Sequence, residues 1–398
     1  MRIAYVCADP GVPVLGRKGC SIHVQEIIRA FQAHGARVDL FAMSRGGIPA
    51  ADLGKAVLYQ IGVSPTGTAG EREAEAYKAN SCLKTMLQRE GPFNLVYERY
   101  SLWSYAGMEY ARDTRTPGVL EVNAPLIEEQ ATHRVLVNRA LAEDVAARVF
   151  SAARAIIAVS REVASYLDRY EAARGRVRVV PNGVNAGRFR EDTRPSLPAR
   201  PGVFTVGFVG TLKPWHGLPV LVKAFALFHK RHPGTRLLIV GDGTGRDHLL
   251  EELSAHGLIK CTHRTGAVPP EDVPGLLASM DVAVCPYQQQ DFYFSPLKVY
   301  EYMAAGLPVV TSGIGQLEEL VENHATGLVV PPDDITALAE ALSRLLVDPE
   351  LRKKLGQAGR AAVLRDHTWN GIAGKILDIA GIDPVKIKAG AEVTYGKA

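Results

Sequence analysis

The chain has 398 residues, 47% of them hydrophobic and 22% charged, with a formal net charge of +4. That balance belongs to an ordinary globular protein of two or three domains at about 150 residues each, and it excludes a disordered, collagen-like or small disulfide-stapled chain. So slight a positive excess demands no polyanionic partner, and nucleic acid is not expected. The five cysteines (Cys7, Cys20, Cys82, Cys261 and Cys285) are widely spaced, with no CxxC and no zinc-spaced His, as suits single thiols in a reducing compartment. No stretch approaches the roughly 18 apolar residues of a membrane span. MRIAYVC reads as a first strand rather than a signal segment, so the expected location is the cytoplasm.

Short apolar, β-branched runs follow one another along the chain. They are Ile3–Cys7, Val38–Phe41, Leu95–Tyr97, Val119–Val122 and Ile156–Val159, then Phe204–Val209, Leu237–Val240, Val282–Cys285 and Val309–Thr311. Runs without alternation predict parallel strands buried on both faces. Between them, Val24, Ile27, Ile28 and Phe31 keep a helical period that stops at Gly35, and Ile335, Leu338, Ala341, Leu342 and Leu345 repeat it. Strands alternating with helices predict an α/β protein with doubly wound sheets. Three prolines between Arg194 and Gly202, ahead of the fresh strand at Phe204, predict an interdomain linker and two Rossmann-like halves with a cleft between them.

Candidate sites fall at strand ends. After the first strand, DPGVPVLGRKGCSIHVQE holds Gly11, Gly16 and Gly19, with Ser21 placed to cap the next helix. In EVNAP, Asn123 either bonds a sugar hydroxyl or closes a turn before Pro125. His133, Arg134, Arg139, Arg148 and Arg154 punctuate the following helical stretch; core packing with a solvated face is the commoner reading, and weak peripheral contact with anionic lipid the other. GTLKPWHGL places Lys213 and His216 in a glycine loop, suited to charge on a phosphate leaving group or to a plain packing turn. GDGTGRD (Gly241–Asp247) departs from the dinucleotide fingerprint and reads as a tight turn. In FYFSPLKVYEYM, Ser295 is expected as N-cap and Pro296 as first helical residue, giving an anion-binding helix start. Lys298 adds a cation there, and Glu301 lies one turn on, facing a ribose diol or simply pairing with Lys298 in solvent.

Taken in order, VVPNGV, VGTLKPWHG, VGDGTGRDHL, TGAVPPEDV, SPLKVYEYMAAGLPVVTS and GLVVPPDD resemble retaining glycosyltransferase family 4. The resemblance implies a GT-B fold, with residues 1–190 as the acceptor-side domain and 191–371 as the donor-side domain. Trp369, Ile372, Ile376 and Ile379 resemble the family's last helix, so residues 372–398 are expected to pack back on the first domain. It further implies that the backbone of Ser295, Pro296 and Leu297 meets the donor diphosphate and that Lys298 pairs with a phosphate oxygen. Glu301 would hold the ribose, Val268 the base, and Gly19 the glycine loop near donor and acceptor.

Two departures from the family pattern stand out. The first glutamate of its E-x7-E motif falls on Tyr293, with Asp291 or Gln290 as nearby substitutes. Its phosphate-binding Arg and Lys fall on Thr211 and His216, with Lys213 two residues away. The expected activity is metal-independent, retaining transfer from a nucleotide-diphospho-sugar to a hydroxyl acceptor. No cofactor is expected, and Lys213, Lys298 and Asn123 carry the catalytic roles. Tyr293 keeps open a non-catalytic nucleotide-sugar-binding homologue, and an epimerase acting on donor alone is the other alternative.

Overall fold

The computed structural model describes residues 1–53, 55–62, 66–198, 202–289, 293 and 295–383. They divide into two compact units. The first comprises Met1–Asn182, Tyr293, Ser295 and the segment from Trp369; the second comprises Gly183–Phe292 and Pro296–Thr368.

The first unit is built on a parallel seven-stranded sheet: β1 (Arg2–Cys7), β2 (Arg37–Ala42), β3 (Val57–Gln60), β4 (Leu95–Arg99), β5 (Gly118–Val122), β6 (Ala155–Ala158) and β7 (Val177–Val179), ordered β3-β2-β1-β4-β5-β6-β7. Ile3 pairs with Val38 on one side and Leu95 on the other, so the strand order reverses at β1. The helix Gly19–Ala33 buries Val24, Ile27, Ile28 and Phe31, the stripe expected from its period. It ends with the Gly35 N–H bonded to the Gln32 carbonyl and Gly35 at φ +79°. Ser21 does not cap it. The helix begins at Gly19 with Lys18 as N-cap, which places Ser21 inside with its Oγ buried. Glu98 of β4 is also buried, accepting from Ser104 Oγ at 2.6 Å and the Met108 N–H at 3.0 Å. The helix Trp369–Ile379 belongs to this unit, with Trp369 edge-on to His23 and the Asn370 carbonyl 2.9 Å from His34 Nε2.

The second unit carries a parallel six-stranded sheet: β8 (Phe204–Val209), β9 (Thr235–Val240), β10 (Thr262–Gly266), β11 (Val282–Cys285), β12 (Val309–Ser312) and β13 (Leu328–Val330), ordered β10-β9-β8-β11-β12-β13. Its reversal falls at β8, between β9 and β11. The helix Leu218–Arg231 covers one face through Leu221, Phe225 and Phe228, and Ile335–Val347 through Leu338, Leu342 and Leu345. In doubly wound sheets, ligands bind beyond the carboxyl ends of the strands where the order reverses. The places to inspect are therefore the exits of β1, β4 and β5 in one unit and of β8 and β11 in the other.

The proline-rich stretch is not a linker. Ser196 N–H donates to the Gly275 carbonyl and Leu197 N–H to Ser279 Oγ, which fixes the described part of the segment inside the second unit. The chain instead passes between units at Asn182–Gly183, ahead of the expected change at 190, and again at Thr368–Trp369. VNAGRF is held in the second unit, where the Val184 N–H meets the His367 carbonyl and Arg360 donates to the Phe189 carbonyl.

Candidate functional site

At the exit of β8 the chain turns through residues 210–217 into the helix Leu218–Arg231. The neighbouring GDGTG turn supports this loop: Leu212 N–H bonds to the Asp242 carbonyl and Gly245 N–H to the Leu212 carbonyl. Only glycine fits two of the junctions. At Gly241 (φ +134°) a Cβ would lie 2.0 Å from the Gly210 carbonyl oxygen, and at Gly217 (φ +65°) it would lie 1.4 Å from that of Pro286. The loop is thus clamped onto the exit of β11.

Lys298 reaches this place from the first turn of the helix Leu297–Ala304. Its Nζ sits 4.7 Å from the Phe208 ring centroid and 5.0 Å from that of Tyr287. The Nζ is covered from solvent and has no hydrogen-bond partner among the described residues. Burial lowers its pKa to about 8, against the opposing effect of the Cys285 thiol. His216 shares the same two aromatic neighbours, at 6.1 Å from Phe208 and 5.4 Å from Tyr287. Its Nδ1 lies 2.5 Å from the Thr211 carbonyl oxygen. Burial, then the charges of Lys298 and Lys213, hold the His216 pKa down at about 3, against the bond to Thr211. Lys213 Nζ lies 5.5 Å from the Trp215 ring. Lys213, His216 and Lys298 therefore converge on one aromatic-lined corner, with positive charge in excess.

Ser295 does not cap the helix. Pro296 occupies the N-cap position and no side chain caps the helix start. The Ser295 Oγ instead accepts from the Asn182 N–H at 3.0 Å, and its carbonyl from Asn182 Nδ2 at 3.2 Å, so its lone pairs are used within the first unit. Pro296 and Leu297 lie at the helix start in the second unit. Glu301, one turn beyond Lys298, does not pair with it. Its Oε1 is 3.6 Å from Arg188 Nη1, and Arg188 Nη2 donates at 2.6 Å to the Pro270 carbonyl. Arg188 thereby ties Glu301 to the turn that follows β10 and contains half-buried Val268.

In the first unit, Gly19 is the exposed first residue of its helix. Asn123 donates from Nδ2 to Glu121 Oε2 at 3.0 Å. Glu121 is a hub: its Oε1 lies 2.9 Å from His23 Nε2, and its Oε2 lies 3.8 Å from Arg99 Nη1, which is buried. Burial alone would raise the Glu121 pKa, but the His23 and Arg99 charges and the bonds from His23 and Asn123 outweigh it and bring the value to about 2. Beside this network, at the exits of β1 and β4, is a cavity of about 540 Å³ whose lining includes Asp9, Arg72, Glu73, Trp103, Glu129 and Arg134. Tyr293 is fastened to the same unit: its hydroxyl donates to Glu129 Oε2 at 3.1 Å and its carbonyl accepts from Ser160 Oγ. Asp291 and Gln290 lie outside the described residues.

Sequence reasoning missed His23, Arg99, Glu121 and Arg188. YER and EVN each place charge at the end of an apolar strand, and that was the available signal for Arg99 and Glu121. The basic stretch is answered by carboxylates. Arg139 lies 2.7 Å from Glu128, and Arg148 lies 2.9 Å from Glu109 and over the Tyr105 ring. No helix of the described residues is long and apolar enough to cross a membrane. Among the same residues no group of three or more His, Cys, Asp or Glu side chains could hold a metal ion.

Comparison with known proteins follows this division. Residues 17–188 match the family model described as Glycosyltransferase Family 4, and residues 189–362 match Glycosyl transferases group 1. A glycogen synthase of Mycobacterium tuberculosis is 33% identical over 199 residues, 50% of this chain and 46% of that protein, so the chain matches about half the length of that relative. A D-inositol 3-phosphate glycosyltransferase of Saccharomonospora viridis is 27% identical over 406 residues, 93% of this chain and 90% of that protein. Among solved structures, sucrose-phosphate synthase from Thermosynechococcus elongatus superposes with a TM-score of 0.73 at 24% identity, over 95% of this chain and 98% of that one. Anabaena HepE in complex with UDP and glucose gives 0.70 at 18% identity, over 95% and 98%. These neighbours share the fold. With the two family models accounting in succession for residues 17–362, the chain belongs to glycosyltransferase family 4, a family of enzymes with the GT-B fold.

Proposed function

We propose that the protein transfers a sugar, with retention of configuration and without a metal, from a nucleotide-diphospho-sugar to a hydroxyl acceptor. The observation that carries the reading is Lys298: a covered ammonium with no hydrogen-bond partner among the described residues, at a helix start without a side-chain cap where the strand order reverses. A buried cation without a partner is costly unless an anion completes it. A diphosphate is the anion that fits. Lys298 and the first-turn amides of Leu297–Ala304 meet its oxygens, with Lys213 and His216 beside them. Glu301 takes the ribose hydroxyls and Val268 the base.

As the glycosidic bond breaks, negative charge grows on the leaving diphosphate. Fixed cations and amides stabilise that charge without reorganising, which is the role a metal would otherwise fill. The acceptor proton passes to a donor phosphate oxygen on the same face, so no protein nucleophile is assigned. The acceptor is placed in the first unit's cavity, where the Asp9 and Glu129 carboxylates suit hydroxyl groups and Asn123 stands by at the exit of β5. The relatives named above, which make glycogen or act on D-inositol 3-phosphate, are in keeping with a polyhydroxy acceptor.

The test is a transfer assay with UDP-, GDP-, ADP- and dTDP-glucose in EDTA against a panel of sugars and polyols, with the product anomer read by proton coupling. One donor should give an α-linked product, and Lys298→Met should lower turnover by about 10²–10³-fold. A β-linked product would overturn retention. Donor binding with neither transfer nor hydrolysis would reduce the protein to a nucleotide-sugar-binding homologue.

A further inference from the structure

Where the family pattern has a lysine, this chain has a titratable imidazole, and its surroundings set how it works. The Thr211 carbonyl can only accept, so the 2.5 Å contact requires the hydrogen on His216 Nδ1. In the neutral ring, Nε2 then carries a lone pair and repels a phosphate oxygen rather than bonding to it. Burial against Phe208 and Tyr287, Lys298 from the helix Leu297–Ala304 and Lys213 from its own loop favour that neutral state in the ligand-free protein, and the bond to the Thr211 carbonyl opposes it without reversing it. The Cys285 thiol lies beyond Lys298, and burial pushes its pKa up to about 11, so it adds no negative charge at neutral pH.

We propose that His216 takes up one proton at Nε2 when a nucleoside diphosphate binds, so that a third cation appears in the site only while the diphosphate is there. The inference rests on the diphosphate reading of this site given above. One negative charge about 4 Å away in a half-buried site is worth about three pKa units, and a diphosphate brings more than one. It also engages Lys298, whose charge otherwise opposes protonation. The proton comes from solvent, forms the Nε2–H bond to a phosphate oxygen, and returns to solvent when the nucleotide leaves. The site is thus strongly cationic around the leaving group but does not hold that charge permanently, which eases product release.

The experiment is calorimetric titration of UDP, GDP, ADP and dTDP, with EDTA, near pH 7 in buffers of different ionisation enthalpy, on wild type and His216→Gln. Glutamine retains an N–H for Thr211 but does not titrate. For the nucleotide that binds, wild type should take up about one proton more than the variant, the nucleotide's own ionisation being common to both. Its affinity should fall by up to tenfold more per pH unit than the variant's between the pKa values of the free and bound states, and no faster above them. Histidine-selective NMR on wild type supplies a readout that does not depend on the variant's folding: one imidazole should move to the imidazolium position when nucleotide is added. Equal proton counts in the two proteins, or no histidine shift with nucleotide bound, overturns the inference while leaving the donor site intact. No binding by any of the four nucleotides overturns the donor-site reading itself.

Discussion

Replacing Lys298 by Met should stabilise the ligand-free protein. Burial lowers the Lys298 pKa from 10.5 to about 8. Keeping the group charged near pH 7 therefore costs the second unit about 3 kcal/mol, at about 1.4 kcal/mol per pKa unit. Contacts of the ammonium with the Phe208 and Tyr287 rings return about 1–2 kcal/mol of that. Methionine keeps the length and packing of the side chain without the charge. The net expectation is a gain of about 1–2 kcal/mol, or about 2–6 °C in Tm for a unit of this size.

The pH dependence separates this account from ordinary repacking. Because the folded pKa lies below the unfolded one, between pH 8 and 10.5 the unfolded chain holds a proton that the folded chain has lost. Wild-type stability therefore rises across that window, and the penalty is gone above it. The alkaline groups away from Lys298 cancel in the difference; the Cys285 thiol, whose pKa the Lys298 charge lowers, is the neighbour that does not. Scanning calorimetry of the pair near pH 7 and near pH 10.5 should show the variant's advantage disappearing. A variant less stable than wild type near neutrality, or an advantage that does not change with pH, would refute the claim that Lys298 is a buried cation with no partner among the described residues.

Other expectations follow from the same structure. Gly217→Ala adds a Cβ at φ +65° and 1.4 Å from the Pro286 carbonyl oxygen, so it should destabilise the second unit by at least about 2 kcal/mol; an unchanged melting temperature would contradict the clamp between the two strand exits. Glu121, with its pKa held at about 2 against 4.5 unfolded, contributes about 3 kcal/mol above pH 4.5 that is lost as pH falls towards 2; Glu121→Gln should be the weaker protein at neutral pH and should lack that acid limb in urea titrations. Glu98 behaves oppositely. Its burial outweighs the bonds from Ser104 and the Met108 N–H and lifts its pKa to about 7, so stability declines by about 3 kcal/mol as pH rises from 4.5 through 7, and Glu98→Gln should abolish that decline.

Apolar runs located the interior of both sheets, while the four strands they passed over, β3, β7, β10 and β13, are the four sheet edges. The physical reason is visible in their burial. An interior strand is covered on both faces and by two neighbours, and its sequence reads as an unbroken run. Arg178 and Val179 of β7, and His263 and Arg264 of β10, are exposed, so an edge strand looks like a loop. β13, at three residues, is too short for a pattern to register.

The site was legible where chemistry is local. Lys213, His216 and Lys298 come from two short motifs and meet across adjacent strand exits. Cap assignments failed where a serine had a distant alternative: Ser295 bonds Asn182, more than a hundred positions away. The Glu121 hub was unreadable for the same reason, since His23 and Glu121 are brought together only by the packing of a helix on a sheet. Arg188 lay in a segment read as the approach to a linker, although it is the partner of Glu301.

The most direct test of the account is a thermal-shift titration of wild type and Lys298→Met with UDP, GDP, ADP and dTDP in EDTA. One nucleotide at about 100 times its Kd should stabilise wild type by about 2.7 kcal/mol and leave the variant unmoved. Silence of wild type across the four nucleotides, or an equal shift in the variant, would contradict a diphosphate site built on Lys298.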